Sequence, residues 1–191
     1  MNIKKGWILV GEGHDITDKL QYLVNGKGAS HGCVITFPDG SKQNMTMVLS
    51  AEYNGVVHAL WNKWASDTKY NYWLYEIIGA TEEQINHALD YCEDHFLNAK
   101  YAYLSWIWFG YKSLMEFLHI NVHKQHNWYF KDCFCTEHVY YFMLEAGVPQ
   151  ELLKDWYPDT FQPMNLKNLL INNPSLFKLI SQRVDGATKL V

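Results

Sequence analysis

Chemistry in this 191-residue chain can start at a cysteine that opens a helix-like stretch. Cys135 lies in Asp132-Cys133-Phe134-Cys135-Thr136-Glu137-His138, and Val139, Phe142, Met143 and Ala146 follow at helical spacing until Gly147-Val148-Pro149 stops them. The pattern predicts a helix beginning near Asp132, with Asp132 as N-cap and Cys135 in the first turn. Unpaired backbone N–H groups and the helix dipole stabilise negative charge there, and the thiolate is the form of cysteine that attacks. A small buried hydrophobe is the ordinary role of a free cysteine, so position alone leaves both readings open.

A nucleophilic thiol needs a general base within hydrogen-bond reach, normally from another element of the fold. Ser30-His31-Gly32-Cys33-Val34-Ile35 places His31 at the first position of a buried strand, with Gly32 beside it leaving room for substrate backbone. A third, polar residue on a neighbouring strand would orient the imidazole, as in Cys-His-Asn arrangements. Glu52, at the end of Val48-Leu49-Ser50-Ala51 and just before Asn54-Gly55, fits best, although a surface turn carboxylate would look the same.

Three other groups compete. Cys133 is chemically equivalent to Cys135 but is expected to point elsewhere on a helix entry. His138 stands three residues after Cys135, and a base on the nucleophile's own helix is poorly aimed, so a structural or substrate-edge role is expected. His119, His123 and His126 have the i, i+4, i+7 spacing that would stack imidazoles for zinc or nickel. Asn121 and Asn127 weaken a helix there and no carboxylate or cysteine accompanies them, so surface histidines are expected and no metal is assigned.

The elements that must position these residues can be read in outline. Trp7–Val10, Gly32–Phe37, Met45–Ala51 and Val56–Leu60 read as strands, the last two joined through Asn54-Gly55, a strong hairpin signal. They form a small antiparallel sheet in the first third, with a short helix over Asp15–Leu23 between its first two strands. Thr81-Glu82-Glu83-Gln84 opens a helix as a capping box, and Ile85, Leu89, Cys92 and Phe96 follow at helical spacing. A further helix is expected over Trp106–His119, and the last dozen residues are expected to be loosely held. Sheet first and helices after imply an α+β class in a single domain, residues 1–191.

Composition narrows the function. Sixteen Lys+Arg against twenty Asp+Glu leave a net charge of −4 without a basic cluster, which argues against a nucleic-acid partner. The N-terminal apolar run is too short for a signal peptide, and no stretch approaches the roughly 20 apolar residues of a membrane span. A cytoplasmic protein with free thiols is expected. Aromatic residues make up 16% of the chain, more than a core of this size ordinarily needs, so some rings are expected to line a groove. The run Tyr101–Phe109 fits core first, a groove second and transient membrane contact third.

The ordered motifs resemble a known family. Gly6-Trp7-Ile8-Leu9-Val10, Ser30-His31-Gly32-Cys33-Val34-Ile35, Ala51-Glu52-Tyr53-Asn54-Gly55-Val56, Lys100-Tyr101-Ala102-Tyr103, Cys135-Thr136-Glu137-His138-Val139 and Thr160–Leu166 occur in the order found in the circularly permuted branch of the NlpC-type papain-like cysteine hydrolases, the YiiX-like proteins. The match spans about residues 6–170. Trp7 stands where the family has Asp, Cys33 alters the Val-Gly spacing, Ser50-Ala51-Glu52 shifts the acidic position, and Asn165 replaces Asp. The resemblance implies a permuted papain-like fold, Cys135 as nucleophile, His31 as base and an acyl-enzyme, with the Cys135 backbone N–H holding part of the oxyanion. It also implies that Tyr101, and secondarily Tyr103, border the site. The implied substrate is a peptide or acyl group without a cofactor: amide bonds in cell-wall peptides first, with acyl transfer or lipid-ester hydrolysis as the alternative. A non-catalytic binding module on the same fold is the third reading. A cell-wall substrate sits awkwardly with a chain lacking an export signal, unless the protein is phage-encoded and released on lysis.

Overall fold

The computed structural model describes residues 3–13, 22, 28–38, 46–61, 70–102, 111, 115, 118–119, 132–133 and 135–191. The expected helices over Asp15–Leu23 and Trp106–His119 fall, apart from single positions, outside these residues.

Among the described residues, the framework is a seven-stranded antiparallel sheet with three helices. Its strands are β1 (Ile8–Glu12), β2 (His31–Phe37), β3 (Met47–Glu52), β4 (Gly55–Leu60), β5 (Asn71–Ile77), β8 (Phe177–Val184) and β9 (Ala187–Leu190), in the order β4-β3-β2-β1-β5-β8-β9. Two short strands, β6 (Lys100–Tyr101) and β7 (Asp132–Cys133), form a separate parallel pair. The helices are α1 (Glu82–Phe96), α2 (Glu137–Glu145) and α3 (Pro163–Asn172).

The middle of this sheet is buried on both faces. Because side chains alternate across a strand, Ile8 and Val10 of β1, Val34 of β2, Leu49 of β3 and Trp73 and Tyr75 of β5 share one core with residues of all three helices. Trp7, Leu9, Cys33, Ile35, Val48, Trp61, Tyr72 and Leu74 form a second core on the opposite face. Five large rings, Trp7, Trp61, Tyr72, Trp73 and Tyr75, are thus core residues of the two faces rather than groove lining.

Local chemistry explains the elements that position the site. The Thr81 hydroxyl accepts from the Gln84 amide while the Gln84 side chain accepts from the Thr81 amide, so α1 starts at the expected capping box. The β3–β4 hairpin closes at Glu52↔Gly55. Gly55 has φ +119°, and a Cβ there would lie 2.5 Å from the Ala99 carbonyl oxygen, so both backbone conformation and close approach require glycine.

Three expectations are corrected. Asp132 and Cys133 belong to β7, and α2 starts later, with Thr136 as N-cap. The reason is that the 132–133 backbone pairs with β6, Tyr101 opposite Cys133, instead of entering the helix. The chain end is not loose: β8 pairs with β5 over Tyr72↔Arg183 to Ile77↔Phe177, and β9 pairs with β8. The sheet is also larger than the first third of the chain, because β5 and the two C-terminal strands complete it.

Replacing Gly55 by alanine is expected to lower unfolding free energy by about 1–3 kcal/mol. Denaturant unfolding of the variant against the wild type, read at the transition midpoint, checks it.

Candidate active site

The entry to α2 is held by side chains that reach across elements. The Thr136 hydroxyl makes no capping bond to its own helix and instead donates to the Phe161 carbonyl, tying the helix start to the chain that leads into α3. Gly32 lets this happen. A Cβ there would lie 2.8 Å from both Thr136 Cγ2 and Leu166 Cδ2, so the space beside His31 is filled by α2 and α3 rather than left for substrate.

Cys135 stands one residue before the Thr136 N-cap and is fully buried. Burial pushes its thiol up to about 12, against the lowering influence of the Gly32 backbone N–H, the Thr136 hydroxyl and its own backbone N–H; the Glu52 charge pushes it further up. Thr136 has one hydroxyl hydrogen, shared between the sulfur and the Phe161 carbonyl, so it serves both only in part. The resting Cys135 is therefore a neutral thiol at neutral pH, and helix-terminal stabilisation does not overcome desolvation.

Two other thiols surround the same helix start. Cys133 on β7 is held well above 9.0 by burial, then by the Glu137 charge, although the His138 backbone N–H donates to it. Cys92 on α1 donates to the His138 carbonyl at 3.4 Å and is pushed up to about 12 by burial, then by Glu145 and Glu93. The buried His138 ring bonds the Leu49 carbonyl at 3.0 Å through Nε2. His138 is thus a tie between α1, α2 and β3.

His31 and Glu52 meet through a residue the sequence reading passed over. His31 Nε2 lies 2.7 Å from Ser50 Oγ, and Ser50 Oγ donates to Glu52 Oε1 at 2.9 Å. Ser50 is fully buried, while His31 and Glu52 are half-buried. The i, i+2 spacing of Ser50 and Glu52 on one strand was the available signal, since it puts both on one face.

The faces matter for the Cys135–His31 pair. His31 shares its strand parity with Cys33 and Ile35, which lie in the second core, whereas Gly32 and Val34 face the helix side, where Cys135 lies. The β2–β3 register starts at Val34↔Leu49, and before it the Gly32 N–H is directed to the Cys135 sulfur. Cys135 thus adjoins the residue that follows His31 and feels the charge of Glu52.

The remaining candidates separate. Tyr101, on β6, is half-buried and packs against the helix-side core. Tyr103, His123 and His126 lie outside the described residues. His119 sits in a turn with φ +58°, which breaks a continuous helix at that point. Among the described residues no group of three or more His, Cys, Asp or Glu side chains is placed to hold a metal ion.

The thiols set a pH dependence. Their folded-state values are raised, so the stability they allow is complete below about pH 9 and is lost as pH rises from about 9 towards about 12, where only the unfolded chain ionises freely. Tyr75 and Tyr140, raised by burial, act in the same direction above 10. Thermal unfolding is expected to be flat to about pH 9 and to fall steeply beyond it. Cys92→Ala, whatever its starting stability, is expected to show the shallower alkaline decline by calorimetry.

No protein-family model matches the chain, and no curated protein matches it in sequence. Among solved structures, the fold is similar to that of the metalloprotein yiiX from Escherichia coli, with a TM-score of 0.52 and 17% identity over 77% of this chain and 68% of that one. No helix among the described residues is long and apolar enough to cross a membrane. The chain has a mixed α+β fold of the YiiX-like kind.

Proposed function

We propose that the chain is a thiol-dependent hydrolase with a permuted papain-like arrangement, in which Cys135 attacks a carbonyl, His31 takes the thiol proton and Glu52 supports the imidazole. The observation that carries this reading is the position of Cys135: just before the start of α2, its sulfur against the amide of Gly32, with the His31 chain neighbour and the Glu52 charge both at the site.

A thiol pushed up to about 12 cannot rest as a thiolate at neutral pH, so attack must be coupled to proton transfer. As sulfur bonds to the carbonyl carbon, its proton passes to His31 and then to the leaving amine. Water repeats the sequence on the acyl-enzyme, giving its proton to His31 and releasing the acid. The backbone N–H groups of Gly32 and Cys135, which both meet the sulfur, are the donors available to the carbonyl oxygen as it gains charge. Amide bonds of peptides, cell-wall peptides first, are the substrate class of this reading, with acyl esters or acyl transfer as its variant.

A second reading, a binding module without turnover, is favoured by two observations: Cys135 is fully buried, and the parity of β2 sends His31 to the face opposite Gly32. Alkylation separates the two. The rate of iodoacetamide reaction, followed against pH by intact mass, is expected to show a Cys135 component that depends on His31 and sets in below pH 8. Turnover of muropeptides or acyl esters is expected to fall at least about 100-fold in Cys135→Ala and His31→Gln. A Cys135 that stays inert until pH 9 or above, with no turnover on either substrate, supports the binding module and overturns the enzyme.

A further inference from the structure

Ser50 stands between two groups that the proposed function treats as partners. It has one hydroxyl hydrogen and two lone pairs, and that hydrogen goes to Glu52 Oε1 at 2.9 Å. An ionised carboxylate only accepts, so the reverse polarity would set two lone pairs against each other at that distance. The Ser50 oxygen has then only acceptor capacity for the contact to His31 Nε2 at 2.7 Å, and Nε2 must carry the proton. The neutral imidazole has one N–H, so its lone pair is on Nδ1.

We infer that Ser50 is a positioning residue that fixes His31 as the Nε2–H tautomer and leaves Nδ1 as the basic nitrogen, with Glu52 acting through the serine hydroxyl. The inference deepens the reading of His31 as general base and rests on it for its catalytic consequence; the tautomer itself follows from the three side chains alone. When Nδ1 takes a proton from the attacking thiol, the positive charge forms on a ring whose Nε2–H already donates to Ser50, whose hydroxyl already donates to Glu52. No proton travels along the chain: the one bond that breaks is S–H and the one that forms is Nδ1–H. Full burial of Ser50 removes water as a competing partner and strengthens both bonds. The cross-strand geometry supports this, because Ser50 and His31 have the parity of Val48 and Cys33, side chains of the second-core face.

The imidazole nitrogens of the full chain, uniformly labelled with 15N, report the tautomer directly once the His31 signals are identified by their loss in His31→Gln. The expected wild-type result is a protonated Nε2 and an unprotonated Nδ1 in the neutral form. Ser50→Ala is expected to populate both tautomers and to lower kcat roughly tenfold or more with KM little changed, and Ser50→Thr, which keeps the hydroxyl, to restore both. A wild-type His31 protonated on Nδ1 overturns the proposal, and this measurement needs no variant that must fold. Labelling of Ser50 by a fluorophosphonate also overturns it, because the serine would then be a nucleophile. Failure of the enzyme reading looks different: the tautomer stands and responds to Ser50→Ala, but Cys135→Ala does not alter turnover or there is none to alter.

Discussion

Much of the arrangement around Cys135 depends on one missing side chain. With no Cβ at Gly32, the Thr136 methyl at the start of α2 and the Leu166 side chain of α3 both reach the backbone of β2. Their positions in turn set where α2 begins and where the preceding residue, Cys135, can place its sulfur. The Thr136 hydroxyl then links the same helix start to Phe161, so strand, helix entry and the approach to α3 are fixed at a single point. Close packing of this kind leaves little freedom for compensating shifts. The burial it produces is also what raises the Cys135 thiol, so the contact that locates the sulfur is the one that keeps it protonated.

The two halves of the candidate site obey different environments. On the helix side, Cys92 and Cys133 both meet His138, whose carbonyl, amide and ring are each engaged by a different element. On the other side, His31, Ser50 and Glu52 form a polar string at one end of the second-core face. Apolar surroundings make a partly satisfied polar group costly, so three polar residues gathered there are stable only as a connected set. This is the structural reason to treat Ser50 as a member of the set and not as filler between Leu49 and Ala51.

What the sequence disclosed depended on how local the signal was. The capping box of Thr81 and Gln84 and the turn before Gly55 were legible because a few adjacent residues satisfy one another's backbone groups or demand one φ. β5 was not, since Asn71–Ile77 is buried almost throughout and shows no alternation to count. α3 begins at Pro163 without a side-chain cap, although Leu166, Leu169 and Leu170 are the buried stripe it needed. The start of α2 was misplaced because β6, residues away in sequence, claims the backbone of 132–133. His31 and Glu52 were named as partners from their strand ends; the i, i+2 spacing of Ser50 and Glu52 was local, but that the hydroxyl also meets His31 depends on cross-strand register.

The C-terminal strands carry a consequence for how the molecule is made. β5 is flanked by β1 (Ile8–Glu12), which precedes it, and by β8 (Phe177–Val184), which follows it. Arg183 on β8 donates to the Tyr70 carbonyl across a sequence separation of 113 residues. A chain emerging in order can assemble β1 to β4 early, yet β5 has an open edge until β8 is synthesised. The sheet therefore closes late, by a contact of long loop and high entropic cost, and until then the apolar edge of β5 is a place for wrong pairing.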